Sequence, residues 1–202
     1  MPEELRMEDY TPERVAERIG ELRRHLRDEL LPQAREHSES TFLVRFVEYL
    51  DRQAERLETS LTGPIDILAL ATRNLLEFFS LLNQIFINQQ ARDQFIGEML
   101  LDLEDIRSRA EKMGIPKHML EEDLPEWQDI PQKRLVVMRD KHDEYMFKLC
   151  SKCIHPSALS ILAEHSTSGR FMFYFFGLNY LGRSYNFLVA RVFNQIYISS
   201  IT

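Results

Sequence analysis

Between residues 12 and 35 the apolar side chains Val15, Ile19, Leu22, Leu26 and Leu30 recur at intervals of four, three, four and four. That cadence places all five on one stripe of an α-helix, and it fits neither face of a strand. The same rhythm returns in every long segment that follows, which confines the chain to helical architectures. Thr11 can cap this first helix, Pro12 suits its opening turn, and Glu13 meets the positive end of the helix dipole. Elsewhere on the helix Arg14, Arg18, Arg23, Arg24 and Arg27 interleave with Glu13, Glu17, Glu21, Asp28 and Glu29. Bases mixed with acids at i,i+3 and i,i+4 read as a solvated face, not as a nucleic-acid-binding helix.

A second helix is expected over 41–61, capped by Ser38, Ser40 or Thr41, with Phe42, Phe46, Tyr49, Leu50, Leu57 and Leu61 at helical spacing. Gly63-Pro64 ends it and opens a third helix over 64–90. That helix carries two apolar rows: Leu68, Leu75, Phe79, Leu82 and Phe86 in one, Ile67, Leu70, Phe78, Leu81 and Ile85 in the other. Two such rows suit the centre of a bundle. Between them runs a polar stripe, Asp66, Arg73, Glu77, Ser80 and Gln84, which must face water or an internal polar pocket.

A fourth helix is expected over 91–113, with Phe95, Met99, Leu103, Ile106 and Ala110 as its stripe, and Gly114 is suited to a left-handed C-terminal position. The proline-containing connection 115–131 holds Trp127 and one short helical turn near 118–122. A fifth helix is expected over 131–155, ending where Pro156 disfavours helical geometry in the residue before it. Leu135, Met138, His142, Tyr145, Leu149 and Cys153 would share its inner face. Ser157 can cap a short helix over 158–165, and the last helix spans 170–198. The last carries the aromatic run Phe171, Phe173, Tyr174, Phe175, Phe176 and Tyr180. Asn179, Arg183, Asn186 and Arg191 make it too polar to cross a membrane. Core burial is its first expected role. Contact with a second copy or a protein partner is the other, because so aromatic a surface is costly to expose.

The expected fold is therefore all-α, an up-and-down helical bundle of about five long helices plus short connecting helices. It forms a single domain over 1–202, with an N-terminal helical hairpin over 1–62 and a bundle core over 63–202. Seven glycines in 202 residues leave little material for the tight turns of a β-protein. The polar opening segment and the presence of only two cysteines, Cys150 and Cys153, point to a reducing cytoplasm. Cys-x-x-Cys followed by His155 lacks the second ligand pair that tetrahedral zinc requires, so no metal or cofactor is expected. Two small residues buried near a helix end account for the pair. A net charge of −7 does not steer the whole chain to nucleic acid, and RNA contact would need a local basic patch.

Two segments carry groups capable of chemistry. Arg73-Asn74-Leu75-Leu76-Glu77 puts Arg73 and Glu77 on one helical face, where an ordinary ion pair is the plain reading. Leu149-Cys150-Ser151-Lys152-Cys153-Ile154-His155-Pro156-Ser157 places an imidazole at a helix terminus, where it can titrate near neutral pH or satisfy the last carbonyls. Together, with Tyr145 just upstream, they resemble an uncharacterised branch of the HEPN-like helical bundles of bacteria and archaea, over roughly 65–160. The resemblance implies an up-and-down bundle, frequent dimerisation, and a role in RNA metabolism, antiphage defence or toxin–antitoxin systems. Many members of that family are metal-independent endoribonucleases. By that resemblance His155 would handle the proton of a ribose 2′-hydroxyl, Arg73 or Lys148 would stabilise phosphate charge, and Glu77 would orient one of them. Asn74, Ser151 and Tyr145 would complete the polar cluster. The family's usual Arg, separated from the His by four to six other residues, is absent: Lys148, Leu149 and Cys150 hold those positions, and lysine lacks the bidentate fork. The alternative reading is a non-catalytic interaction or regulatory subunit that oligomerises through the C-terminal helix.

Overall fold

The computed structural model describes residues 10–36, 40–114, 137, 139–155 and 166–199. It is an all-α bundle. The helices are α1 (Pro12–His25), α2 (Leu31–Arg35), α3 (Ser40–Ser60), α4 (Ile65–Ile87), α5 (Gln89–Lys112), α6 (Lys141–Ile154) and α7 (Thr167–Ser199). Internal contacts divide the chain into one unit of Met1–Ser80 with Arg139–Thr202 and a second of Leu81–Met138. The expected turn near 118–122, Trp127, the short helix over 158–165, and Leu135, Met138, Pro156 and Ser157 lie outside the described residues.

Thr11 caps α1 as expected, its hydroxyl accepting the Arg14 backbone N–H at 3.3 Å. A π-helical turn over Leu26–Leu30 joins α1 to α2, with the Leu31 N–H reaching back five residues to the Leu26 carbonyl. Its cause is local. Pro32 has no N–H to give to the carbonyl four residues earlier, and its ring would crowd that carbonyl. The wider turn also keeps Leu22, Leu26, Leu30 and Ala34 in line; three steps of four at about 100° per residue would carry an ordinary helix roughly 120° off its stripe. Leu26, Leu30 and Ala34 are all buried.

The first unit alternates in direction. Arg23 meets Glu55 and Glu58 while Arg27 meets Asp51, so α1 and α3 run antiparallel. Phe78 of α4 packs on Phe46 and Tyr49 of α3, so the two helices fold back on each other across the break at Gly63-Pro64. The α7 helix runs alongside α4, with the Thr72 hydroxyl donating to the Phe173 carbonyl and Phe79 against Tyr180. It runs against α3, where the Tyr174 hydroxyl donates to the Leu61 carbonyl at 2.7 Å. Gly177 makes this closeness affordable: a Cβ there would lie 2.8 Å from Leu57 Cδ1 and 3.1 Å from Cδ2. Val15, Ile19, Leu50, Leu57, Leu68, Leu75, Phe173, Tyr180, Leu181 and Leu188 form the core, each fully buried.

The aromatic run of α7 is largely used internally. Phe173, Tyr174 and Tyr180 are buried, and Phe171 and Phe175 pack their edges on Tyr10 at 5.4 and 5.5 Å. The helix starts three residues before the expected 170, because the Ser166 hydroxyl accepts the Gly169 N–H and forms the cap.

Three sequence expectations change. Ile67 and Leu70, placed in the second apolar row of α4, are 48% and 39% exposed, so of that row only Phe78 and Ile85 are buried and Leu81 is half-buried. The fifth helix begins at Lys141 instead of 131: the Asp140 side chain accepts the Asp143 N–H at 2.8 Å and fixes the start. Its inner face is also turned by one position. Asp143, Met146, Cys150 and Cys153 are buried, whereas His142 and Tyr145 are exposed and Leu149 is half-buried. The reason is Asp143, a carboxylate carried inward by polar partners, which a hydrophobicity pattern assigns to solvent.

In the second unit α5 begins where the Asn88 side chain accepts the Gln90 and Ala91 N–H groups at 3.0 and 3.4 Å. It ends at Lys112, and Gly114 just beyond has a φ of +75°, the left-handed conformation expected there.

Candidate functional site

The chemistry-bearing segments of α4 and α6 meet around Phe147. Arg73 projects from the polar stripe of α4 and sets its guanidinium carbon 4.2 Å from the Phe147 ring centre. Arg139, which directly precedes the Asp140 cap of α6, sets its own at 3.9 Å. Glu77 Oε1 lies 3.5 Å from Arg73 Nη2 and 3.7 Å from Arg139 Nη1, so one carboxylate serves both cations at long range. The side chains of Arg73, Arg139 and Glu77 are 27%, 20% and 38% exposed, so the cluster opens to solvent while its apolar side is covered. Arg139 Nε is buried without a hydrogen-bond partner. Two guanidiniums against one carboxylate leave a local excess of one positive charge, held over a ring face that attracts cations.

The sequence-expected residues fall into two groups around this centre. Arg73 and Glu77 are paired as their i,i+4 spacing implied. Asn74 is half-buried beside them on α4. The Ser151 hydroxyl donates to the Phe147 carbonyl at 2.7 Å and stays within its own helix. Lys148 bonds Glu144 at 3.0 Å on the exposed side, holding that carboxyl below the usual carboxylate range. Tyr145 is 66% exposed. His155 caps α6 in extended backbone geometry and is exposed. Phe147 and Ile154 are seven residues apart, so about 10 Å of helix rise separates His155 from the point where the Arg73 head is engaged.

Arg139 and Phe147 escaped the sequence reading. The available signal was Phe147 four residues before Ser151 and next to Lys148, a large ring inside a segment already marked as polar. Arg139 sits immediately before the Asp140 cap, where the expected helix obscured it.

Behind this cluster two further groups shape the surroundings. Cys150 is fully buried, and loss of solvation, with the neighbouring Cys153 thiol, pushes its titration up to about 12. Both cysteines are free, and burial also raises Cys153. Neither is an activated nucleophile, since a reactive thiol needs a lowered value. Asp143, only 4% exposed, accepts the Tyr180 hydroxyl at 2.7 Å and lies 3.5 Å from Arg183, which in turn rests 3.9 Å over the Phe79 ring. Burial and this carboxylate push the Tyr180 phenol upward, so it serves as a donor and stays neutral. Among the described residues no group of three or more His, Cys, Asp or Glu side chains could hold a metal ion.

These features define a class: a helical-bundle protein with a solvent-open arginine pair and no helix, among the described residues, long and apolar enough to cross a membrane. Comparison with protein-family models, curated proteins and solved structures yields no match for the chain.

Proposed function

We propose that the protein is an RNA-directed helical protein of HEPN-like type, and that Arg73 and Arg139 hold a backbone phosphate. One observation carries the reading: two guanidiniums, packed on one phenyl ring and sharing a single distant carboxylate, present more positive charge than the cluster consumes. Arginine forks match phosphate oxygens in pairs, and a partly desolvated site strengthens that attraction. Glu77 keeps the two cations from separating. In the catalytic form of the proposal His155 acts on the ribose hydroxyl and Lys148 assists from the exposed side of α6, in a defence or toxin setting.

Fluorescence anisotropy with a single-stranded RNA tests the binding. The paired substitution Arg73→Gln with Arg139→Gln should weaken it at least tenfold and flatten its salt dependence, by roughly 0.7 in slope per lost phosphate contact. RNA binding that ignores both substitutions removes the proposal. Cleavage of RNA in the absence of metal, abolished by His155→Ala, is the expected signature of the catalytic form.

A second reading, a non-catalytic interaction or regulatory subunit, is favoured by the roughly 10 Å of helix rise between the engaged Arg73 head and His155. On this reading the arginine cluster fixes the register of α4 against α6, and a partner or second copy engages the C-terminal helix. RNA turnover that is nil, or equal in the wild type and His155→Ala, together with a dimeric mass by light scattering, is its expected outcome.

A further inference from the structure

A groove of about 360 Å³ lies between α1 and α7, away from the arginine cluster. Its apolar walls are Tyr10, Leu22, Phe175 and Leu178, and its polar lining is Arg18, Glu21 and Asn179. The volume is at the small end of the range that holds small molecules, and a mainly apolar wall with a few convergent polar groups is the usual make-up of such sites.

The polar groups are unspent. Arg18 and Glu21 stand three residues apart on α1, close enough for an ion pair, yet neither forms one with the other or with any described residue. The Arg18 guanidinium lies instead over the Tyr10 ring, 5.7 Å from its centre. A stacked guanidinium keeps its N–H edge available for an acceptor in the plane of the fork. Asn179, one helix away, offers an amide donor and an acceptor from the opposite side of the groove and is exposed. Elsewhere on the same helix the pattern is the reverse. Arg23, two positions beyond Glu21, is fully committed to three carboxylates.

We propose that this groove binds a small zwitterion with an aromatic or aliphatic side chain, such as a free apolar α-amino acid. These two charges of opposite sign, without an ion pair among the described residues, fix the ligand's charge pattern: a carboxylate meets the Arg18 fork and an ammonium meets Glu21. The apolar body packs among Tyr10, Leu22, Phe175 and Leu178, and the Asn179 amide bonds whichever polar end it reaches. A simple anion would leave Glu21 repelling it, and a simple cation would meet Arg18 in the same way. This site is independent of the RNA reading and shares no residue with it.

L-phenylalanine is the probe, titrated calorimetrically into the full chain, with phenylacetate and phenethylamine as analogues that lack one charge each. L-phenylalanine should bind at least tenfold more tightly than either analogue. Arg18→Gln should cost it at least tenfold while leaving phenethylamine no weaker than before. Glu21→Gln should cost it likewise while leaving phenylacetate no weaker. Both positions are exposed, and unchanged thermal melting of the variants confirms that they fold. Absence of L-phenylalanine binding, equal binding of either singly charged analogue, or indifference to both substitutions overturns the proposal. So does a nucleoside monophosphate that binds more tightly than L-phenylalanine and ignores Glu21→Gln.

Discussion

Two seams of the bundle use arginine in opposite ways. Between α1 and α3, Arg23 is 13% exposed and gives one N–H each to Asp51, Glu55 and Glu58 at 3.1, 2.9 and 2.7 Å. Arg27 adds a further bond to Asp51 at 2.8 Å. Between α4 and α6 the ratio inverts, with Arg73 and Arg139 sharing Glu77 at 3.5 and 3.7 Å. The first seam has short bonds and surplus carboxylate, so its cation is locked and its guanidinium is held well above the ordinary arginine range by the three hydrogen bonds, against the opposing effect of burial. The second has long bonds and surplus cation. The lesson is that the number of arginines says little about function; the ratio of donors to acceptors, and how far apart they stand, separates a clasp from an open hand.

The largest expected effect breaks the clasp. Arg23→Ala leaves Glu58 partly buried without its cation and Asp51 with Arg27 alone, and should lower stability by about 3 kcal/mol. Urea denaturation measures it, and a loss below about 1 kcal/mol would mean that the seam holds without the clasp. Next comes the buried carboxylate behind the open seam. Tyr180→Phe removes the 2.7 Å bond to Asp143 and leaves only the longer Arg183 contact. About 2 kcal/mol should go with it, again read by denaturation.

The third effect is a pH dependence. Cys150 titrates up to about 12 when folded, against about 8.5 for an unfolded thiol. In that interval the folded chain holds a proton that the unfolded chain has released, so stability present below about pH 8.5 is lost as pH rises toward 12. The loss should be on the order of 1–2 kcal/mol by pH 9.5 and smaller in Cys150→Ala, as followed by urea midpoints at pH 7.5 and about 9.5. The smallest stability effect belongs to the open seam itself. Arg73→Gln should cost only about 0.5 kcal/mol, since its pairing with Glu77 is long and partly solvated. Its effect should fall instead on RNA affinity. A stability loss as large as that of Arg23→Ala would erase the contrast between the seams.

Much of the helical plan was legible because periodicity reports burial directly. The stripe Val15, Ile19, Leu26, Leu30 is buried as read, Thr11 caps as read, and Gly114 has the positive φ its position called for. What periodicity could not show was a charged residue turned inward. Asp143 looks like solvent-facing sequence, and only its partners on α7, 37 and 40 residues later, make the inward orientation affordable. That one residue shifted the reading of the whole α6 face, and with it the expectation that His142 and Tyr145 point inward. The candidate site was half legible for a related reason. Arg73 and Glu77 announce themselves by i,i+4 spacing, but Arg139 joins them from 62 residues beyond Glu77, and no local pattern reports such a meeting.

The π-helical turn at Leu26–Leu30 has a consequence for the length of the N-terminal arm. Its inward positions 15, 19, 22, 26, 30 and 34, all buried except the half-buried Leu22, are spaced four, three, four, four and four. Removing one residue between 26 and 30 would change that to four, three, four, three and four, the beat of an unbroken α-helix. The turn therefore acts as a phase buffer: the arm can lose one residue there and still deliver its downstream leucine to the same neighbours. Variation in arm length should be tolerated at this point of α1 and resisted elsewhere along it, where each added or deleted residue swings everything beyond it by about 100°.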